Sequence, residues 1–290
     1  MKNLKKLLVL GLALAMSVSL LAACSGGTQS GSASTPAPTS SAPAGSETPA
    51  PESEAPAALP TVEAGKLHMS TSADFPPYEM IADDGSFEGI DVEVAQAIAD
   101  KLGLELVVDD MDFDAALLAA QNGQSDMVMA GVTVNEERQQ VMDFTDSYAT
   151  GVQVVIVKED SPIATVDDLA NAKMIGCQKA TTGYIYASDT PENGGYGEDH
   201  VTAFETGALA VMALVNDQVD AVIIDNEPAK AYVAANPGLK ILDGEWVVED
   251  YAIGFAKGNT QLLEAVNAAM AELKADGTFQ QIVDKYIAAD

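Results

Sequence analysis

Asn122-Gly-Gln-Ser-Asp-Met-Val-Met129 and Asn216-Asp-Gln-Val-Asp-Ala-Val-Ile223 are two versions of one short pattern, far apart in the chain. In each copy a helix end runs into a tight turn and then into an apolar run typical of a buried strand. A pattern that recurs in this way predicts two related structural units. Coincidence is the alternative, because the repeat is short.

Around both copies, short apolar strands alternate with amphipathic helices. We expect Asp91 to cap the first of these helices and Gly103 to end it. The alternation predicts an α/β protein in which each unit has a mixed, mostly parallel sheet flanked by helices. The predicted strands are 67–71, 104–108, 127–130, 152–157, 174–177 and 221–224. The predicted helices are 91–102, 112–122, 166–171, 183–187, 206–216, 227–235, 260–275 and 278–287.

The two copies lead into different side chains. The first is followed by Gly131, Thr133 and Arg138, and the second by Asp225. Ligands of open α/β sheets bind beyond the carboxyl ends of the strands. Two such units facing each other would place a cation and an anion across one cleft, and an α-amino acid is the simplest ligand for that arrangement.

Arg138 is the only arginine in a chain of 290 residues with 14 basic and 44 acidic side chains. A guanidinium can hold a carboxylate through two parallel hydrogen bonds, which a lysine ammonium cannot do. We therefore predict that Arg138 binds the carboxylate of a small ligand. The alternative is a solvated charge on a helix.

The N-terminus predicts an exported lipoprotein. Three lysines precede an apolar stretch over 7–20 that is short for a membrane span. Leu21-Ala-Ala-Cys24 then resembles a bacterial lipobox, which implies a signal peptide over 1–23 and lipid, including palmitate, on Cys24. An ordinary signal peptide is the alternative. Residues 24–60 read as a flexible tether of Ser, Thr, Ala, Pro and Glu. We expect attachment to the outer face of the cell membrane, at a Gram-positive surface.

Composition excludes several other functions. The net charge of −30 argues against nucleic acid as a partner, because phosphate binding needs a basic patch. Cys177 is the only cysteine after Cys24, so the globular part has no disulfide, and we expect a buried structural thiol. His68 and His200 are isolated, so we expect neither a metal site nor a cofactor. A monomer is expected.

Several motifs carry a resemblance to a known family. Gly89-Ile-Asp-Val-Glu-Val-Ala-Gln-Ala-Ile-Ala99 resembles the signature of the family 3 extracellular solute-binding proteins, the amino-acid receptors of ABC importers. Further similar stretches occur in the family's order, so that the resemblance covers nearly all of 61–290. These stretches are 72–78, 111–113, 129–138, 143–148, 178–183 and 219–225.

The resemblance implies a two-lobed, periplasmic-binding-protein-like fold of type II. Lobe 1 would comprise 61–148 and 252–290, and lobe 2 would comprise 149–251. The chain would cross between them near 148–152 and 247–251, which gives a two-strand hinge. Binding would close the cleft. The closed form would deliver its amino acid to a membrane permease driven by an ATPase, both of them separate proteins.

The resemblance also implies roles for individual residues. Arg138 would hold the α-carboxylate, helped by Thr133, Thr182 and the backbone at Gly131. Asp225 would accept the α-ammonium, assisted by the Gly131 carbonyl or the Thr133 hydroxyl. The remaining candidates would line the aliphatic part and side chain of the ligand; these are Phe75, Phe113, Gln178 and Ser72. The alternatives are helix caps for the two threonines and Asp225, and ordinary core packing for the two phenylalanines.

Departures from the family pattern bear on the ligand's side chain. Ser72 stands where binders of basic amino acids and glutamine often have Asp, Gln178 is neutral, and Ala180 replaces a common Gly. A buried cation needs a paired anion, and only Asp74 or Glu79 is available. The sequence therefore favours a neutral amino acid, polar or moderately apolar.

Two other functions remain open at this level. Secreted cyclohexadienyl or arogenate dehydratases resemble these binders, and Glu79 or Asp74 would then be the general acid. We predict no enzyme, because no His, Ser or Cys constellation suggests nucleophilic catalysis. The second alternative is a sensor that presents its ligand to a receptor kinase, which sequence does not separate from transport.

Overall fold

The computed structural model describes residues 58–287. The predicted signal peptide, Cys24 and the tether up to residue 57 lie outside the described residues. Within the described part, no helix is long and apolar enough to cross a bilayer.

The described chain contains fourteen strands, eight α-helices and three short 3-10 helices, the last at Val166–Asn171, Pro191–Asn193 and Glu198–His200. The strands are β1 Lys66–Thr71, β2 Asp74–Phe75, β3 Glu79–Ile81, β4 Phe87–Glu88, β5 Glu105–Asp110, β6 Met127–Val128, β7 Met142–Phe144, β8 Ala149–Lys158, β9 Ile175–Gln178, β10 Val201–Phe204, β11 Ala221–Asp225, β12 Leu239–Ile241, β13 Val247–Tyr251 and β14 Gly254–Ala256. The helices are α1 Ile90–Leu102, α2 Phe113–Gln121, α3 Glu136–Val141, α4 Thr182–Ser188, α5 Gly207–Val215, α6 Asn226–Ala235, α7 Thr260–Asp276 and α8 Thr278–Tyr286.

Lobe 1 is the part built on the sheet β5-β1-β6-β14-β7. Strand β1 pairs in parallel with β5 and β6, and β14 pairs antiparallel with β6 and β7. Helices α1 and α2 pack on the sheet, and α7 packs on α1. Leu67, Met127 and Phe255 are fully buried between these layers. A small antiparallel sheet, β2-β3-β4, adjoins this lobe and carries cleft residues.

Lobe 2 is the part built on the sheet β10-β9-β11-β8-β12, with β13 also paired to β8. The pairs of β9 with β10 and β11 are parallel, whereas β8 pairs antiparallel with β11, β12 and β13. Cys177 lies fully buried in β9, and burial raises the pKa of its thiol to about 12. The thiol is therefore a core group rather than a nucleophile.

The chain passes between the two sheets on paired strands. The start of β8 and the whole of β13 run antiparallel, from Ala149↔Tyr251 to Gln153↔Val247. Gly151 is required in this pair, because a Cβ atom there would lie 2.3 Å from the Tyr251 ring. The two crossings therefore form one narrow ribbon against the Tyr251 side chain.

The repeated motif has the same structural role in both lobes. Asp126 accepts the backbone N–H groups of Val62 and His68 at 2.6 and 2.7 Å. Asp220 accepts those of Lys173 and Met174 at 2.6 and 3.1 Å. Each aspartate thus fixes the segment that enters a neighbouring parallel strand, which gives the repeat a physical reason.

Asp91 is not the helix cap that the sequence suggested. Helix α1 begins at Ile90 with Gly89 as its N-cap, and no side chain caps it. Gly89 is needed because its φ is 129° and a Cβ atom would lie 2.2 Å from the Tyr78 carbonyl oxygen. Asp91 is instead fully buried and accepts hydrogen bonds from two groups near the cleft.

Candidate functional site

One cavity between the lobes collects every residue that the sequence nominated for ligand binding. The empty space between its lining residues, including the part open to solvent, is about 340 Å³. The nine nominated residues that line it are Ser72, Phe75, Phe113, Gly131, Thr133, Arg138, Gln178, Thr182 and Asp225. Asp74, Glu79, Ala130 and Thr181 complete the wall. The cavity thus has one basic side chain and three acidic ones.

Gly131 lets the loop after β6 approach an aromatic ring. Its φ is 54°, and a Cβ atom there would lie 2.8 Å from Cε1 of Phe75. Its N–H donates to Asp91 Oδ2 at 3.0 Å, and the Tyr148 hydroxyl donates to the same oxygen at 2.8 Å. Buried Asp91 therefore fixes the position of the loop after β6 by accepting the Gly131 N–H.

Arg138 is buried and held in place by backbone groups. Helix α3 presents it, because the Asn135 side chain caps that helix by accepting the Arg138 N–H at 2.8 Å. Its guanidinium donates to the carbonyl oxygens of Thr133 at 2.7 Å and Ala180 at 3.0 Å. It also lies over the Phe113 ring, 5.5 Å from the centroid. Burial lowers its pKa to about 10, so it stays charged at neutral pH.

Neither Thr133 nor Thr182 is a helix cap. Asn135 caps α3, and Thr181 caps α4 by accepting the Tyr184 N–H at 3.2 Å. The hydroxyl groups of Thr133 and Thr182 lie 3.5 Å apart across the cleft. Both donate to Glu249 Oε2, at 3.3 and 2.7 Å respectively.

Asp225 ends β11 and points into the cavity rather than capping α6. No side-chain cap bond forms at that helix. Its carboxylate accepts hydrogen bonds from the Tyr251 hydroxyl and from Gln153 Nε2, the latter at 2.8 Å. Burial raises the pKa of Asp225 to about 7, against the lowering effect of the Tyr251 hydrogen bond. Its ionisation is thus sensitive to any cation beside it.

A second group of acids lies at the end of the cavity formed by β2 and β3. Glu79 is fully buried, and neither of its carboxyl oxygens has a hydrogen-bond partner among the described residues. Burial raises its pKa well above the ordinary value, and nearby Asp91 adds to the effect. Asp74 accepts the Ser72 hydroxyl at 3.0 Å, but its buried Oδ2 also has no partner in the described chain.

The remaining nominated residues shape the wall. Phe75 stacks on Tyr78 with ring centroids 5.9 Å apart, and both Phe75 and Phe113 are buried. Gln178 donates to the Glu205 carbonyl oxygen at 3.3 Å. Ala180, the departure from a common glycine, has a φ of 59°, which is the left-handed region. Its carbonyl faces Arg138 as a result.

Polar contacts join the lobes on both sides of the cavity. Arg138 reaches the Ala180 carbonyl oxygen on one side. On the other, the Tyr232 hydroxyl donates to the Asp74 carbonyl oxygen at 2.7 Å. Lys179 pairs with Asp114 at 3.2 Å near the rim. The cleft is therefore closed in this conformation.

Sequence reasoning missed the polar groups that support the cavity. Glu249, Gln153, Tyr251 and Asp91 make most of the hydrogen bonds behind the nominated residues. Glu249 and Tyr251 were visible only as part of a hinge segment. One signal was available for Gln153, which is a lone polar residue in the apolar run of β8.

Comparison with known proteins agrees with this architecture. The family described as bacterial extracellular solute-binding proteins, family 3, matches residues 67–289. The arginine-binding extracellular protein ArtP of Bacillus subtilis is 32% identical over 229 residues, which is 78% of this chain and 87% of ArtP.

Two solved structures have the same fold. The arginine-, lysine-, histidine-binding protein ArtJ of Geobacillus stearothermophilus is 33% identical with a TM-score of 0.72, and the match covers 78% of this chain and 96% of ArtJ. An ancestral arginine-binding protein bound to glutamine is 36% identical with a TM-score of 0.72, covering 78% of this chain and all of the other. These proteins are binders rather than enzymes, and their fold is the type II two-lobed fold. The chain therefore belongs to the bacterial extracellular solute-binding proteins of family 3.

Proposed function

We propose that this protein binds one L-α-amino acid in the cavity between its lobes and delivers it to an ABC importer. The observation that carries the proposal is that Arg138 and Asp225 are both buried and line the same cavity. A guanidinium suits the α-carboxylate and a carboxylate suits the α-ammonium. Because these residues come from different lobes, a ligand that contacts both favours the closed conformation.

The paired strands β8 and β13 are the proposed hinge. They are the only crossings between the two sheets in the described chain, and they lie side by side. Rotation about such a ribbon would move the Arg138 side of the cleft away from Asp225 and release the ligand. The proposed partners are a membrane permease and its ATPase. The proposed location is the outer face of the membrane, with Cys24 lipidated.

The composition of the cavity favours a cationic ligand side chain over the neutral one expected from sequence. A zwitterion uses the charges of Arg138 and Asp225. Asp74 and Glu79 then remain, with three buried carboxyl oxygens that lack partners in the described chain. Unpaired buried acids are costly, and a guanidinium or ammonium would satisfy them. The known ligands of ArtP and ArtJ include cationic amino acids, which supports this choice.

Calorimetry tests both parts of the proposal. The purified protein is freed of carried-over ligand by unfolding and refolding, and is titrated with every standard amino acid. We expect saturable binding of L-arginine or L-lysine. L-Citrulline, the neutral isostere of arginine, should bind about 30-fold more weakly than arginine, because it leaves the acids unpaired. If citrulline or glutamine binds as tightly as arginine or more tightly, the neutral ligand expected from the sequence is the correct one. If no amino acid in the series binds, the receptor function is refuted.

A further inference from the structure

Glu249 lies behind the cavity and organises its polar wall. It belongs to β13, one of the two crossing strands, and is 7% exposed. Its Oε2 accepts three hydrogen bonds, from Thr182 at 2.7 Å, Gln153 at 3.1 Å and Thr133 at 3.3 Å. One carboxylate oxygen thus accepts hydrogen bonds from side chains of both lobes.

The contact with Glu249 determines which hydrogen bonds Thr133 and Thr182 can still make to a ligand. A threonine hydroxyl has one proton to donate and two lone pairs with which to accept. Thr133 and Thr182 both direct that proton to Glu249. What they can offer a ligand is therefore an acceptor. Acceptors suit an ammonium group and are of no use to a carboxylate, so that Arg138 is the one side chain of the three that remains for the carboxylate.

Glu249 lies near charged groups without forming a salt bridge. No basic side chain in the described chain lies within salt-bridge distance of it, and its Oε1 is buried without a partner there. Gln153 Nε2 bridges Glu249 to Asp225, at 3.1 and 2.8 Å. Glu249 therefore adds negative potential on the side where Asp225 faces the cavity, and it also acts on Arg138, whose pKa burial lowers and Glu249 raises.

We propose that Glu249 is a positioning residue for the ligand's α-ammonium group, acting through the hydroxyls of Thr133 and Thr182. This inference rests on the proposed function, because it needs an amino acid in the cavity. It replaces the role that the family resemblance gave Thr182, since that hydroxyl would accept from the ammonium instead of donating to the carboxylate. Glu249 itself need not contact the ligand.

A pair of ligands that differ only in the α-amino group tests the inference. L-Arginine and 5-guanidinopentanoate share the carboxylate and the guanidinium, but the second lacks the ammonium. Calorimetry on the full chain should show that Glu249→Ala weakens L-arginine about 10-fold and changes the affinity for 5-guanidinopentanoate less than about 2-fold. Glu249→Gln should recover part of the loss, because its amide oxygen still accepts from the hydroxyls.

Two further variants separate positioning from a general structural effect. Asp250→Asn removes an exposed acid from the same strand and should leave both ligands unaffected. Thr182→Val should imitate Glu249→Ala, and the double variant should lose little more than either single one. If Glu249→Ala does not fold, Glu249→Gln alone should still weaken L-arginine more than the deaminated analogue.

Two results with Glu249→Ala would contradict its role as a positioning residue. Equal weakening of both ligands would make Glu249 a general structural residue, and tighter binding of both would make it a competitor of the ligand carboxylate. Either outcome overturns the proposal. If the wild-type protein prefers another amino acid, that amino acid and its deaminated analogue are used. If it binds none, the proposed function fails first, which the wild-type titration alone reveals.

Discussion

The two ends of the cavity differ in how completely their polar groups are paired. At the Arg138 end, the guanidinium is fixed by two carbonyl oxygens and an aromatic face, and both threonine hydroxyls have an acceptor. At the Glu79 end, carboxyl oxygens are buried without partners in the described chain. A paired end is preorganised and can serve any amino acid. An unpaired end costs free energy until a suitable side chain arrives, so we expect specificity to reside there.

The largest expected effect comes from a variant that removes the guanidinium at the preorganised end. Arg138→Ala should reduce affinity for every amino acid by at least about 100-fold, because the α-carboxylate would be buried without a partner. Arg138→Lys keeps the positive charge but lacks the two parallel N–H donors of a guanidinium, so it should recover only part of the lost affinity. Calorimetry with the best ligand measures both. The decarboxylated analogue of that ligand should be nearly insensitive to the change, and sensitivity as great as that of the parent amino acid would contradict the assignment.

The second test removes the unpaired end. Glu79→Gln should weaken L-arginine about 30-fold and leave L-citrulline nearly unchanged, since only the cation needs the ionised carboxylate. Competition binding with a labelled ligand measures the ratio. Glu88→Gln on the neighbouring strand β4 is a matched control that does not line the cavity. Loss of affinity for both ligands alike would place the side-chain specificity elsewhere.

The third test uses pH to distinguish the two charges proposed to hold the α-carboxylate and the α-ammonium. Arg138, with a pKa of about 10, stays charged across the range, whereas Asp225, with a pKa of about 7, does not. The α-ammonium needs ionised Asp225, so loss of this one ionisation should lower affinity about 50-fold in all from pH 7 to pH 5, approaching tenfold per pH unit only toward pH 5. Calorimetry in buffers of different ionisation enthalpy should detect proton release on binding. Affinity independent of pH over this range would contradict a raised pKa.

Stability of the ligand-free protein should show the opposite dependence. The pKa of Asp225 is raised in the folded state, so the native protein holds a proton that the unfolded chain has lost. Its contribution is complete below about pH 4 and is lost as pH rises to about 7. Asp225→Asn should therefore raise the thermal midpoint at pH 8 by roughly 4 °C or more while abolishing binding. An unchanged midpoint would mean that Asp225 is ionised at little cost.

The smallest effect concerns the loop that meets Arg138. Ala180 adopts a φ of 59°, which costs an L-residue with a Cβ atom about 1–2 kcal/mol. Ala180→Gly removes that strain but adds freedom to the unfolded chain, so we expect a net gain in stability of up to about 1 kcal/mol. Affinity should change less than about 2-fold, because the carbonyl that meets Arg138 is kept. Chemical denaturation and calorimetry measure the two quantities, and a large loss of affinity would show that Ala180 itself shapes the site.

Local pattern was enough to predict most elements and the positions of the cavity residues. The lone arginine, the residues after the repeated strands and the family motifs identified nine residues that line one cavity. The same reasoning gave Asp91 a local role as a helix cap, because an aspartate at a helix start normally caps it. Its real partners, Gly131 and Tyr148, lie 40 and 57 residues away along the chain. Local pattern carries no information about partners at that distance.

The sequence by itself determined the alternation of strands and helices, the two-lobed fold and the family, because these follow from periodicity and from motifs that are contiguous in the chain. Only the tertiary structure decided how the charges combine. Asp74 and Glu79 became the acidic end of a cavity because β2 and β3 fold back beside Gly131, and Glu249 became part of the wall because β13 pairs with β8. The free energy of a buried charge depends on which groups surround it, and those groups come from distant parts of the chain.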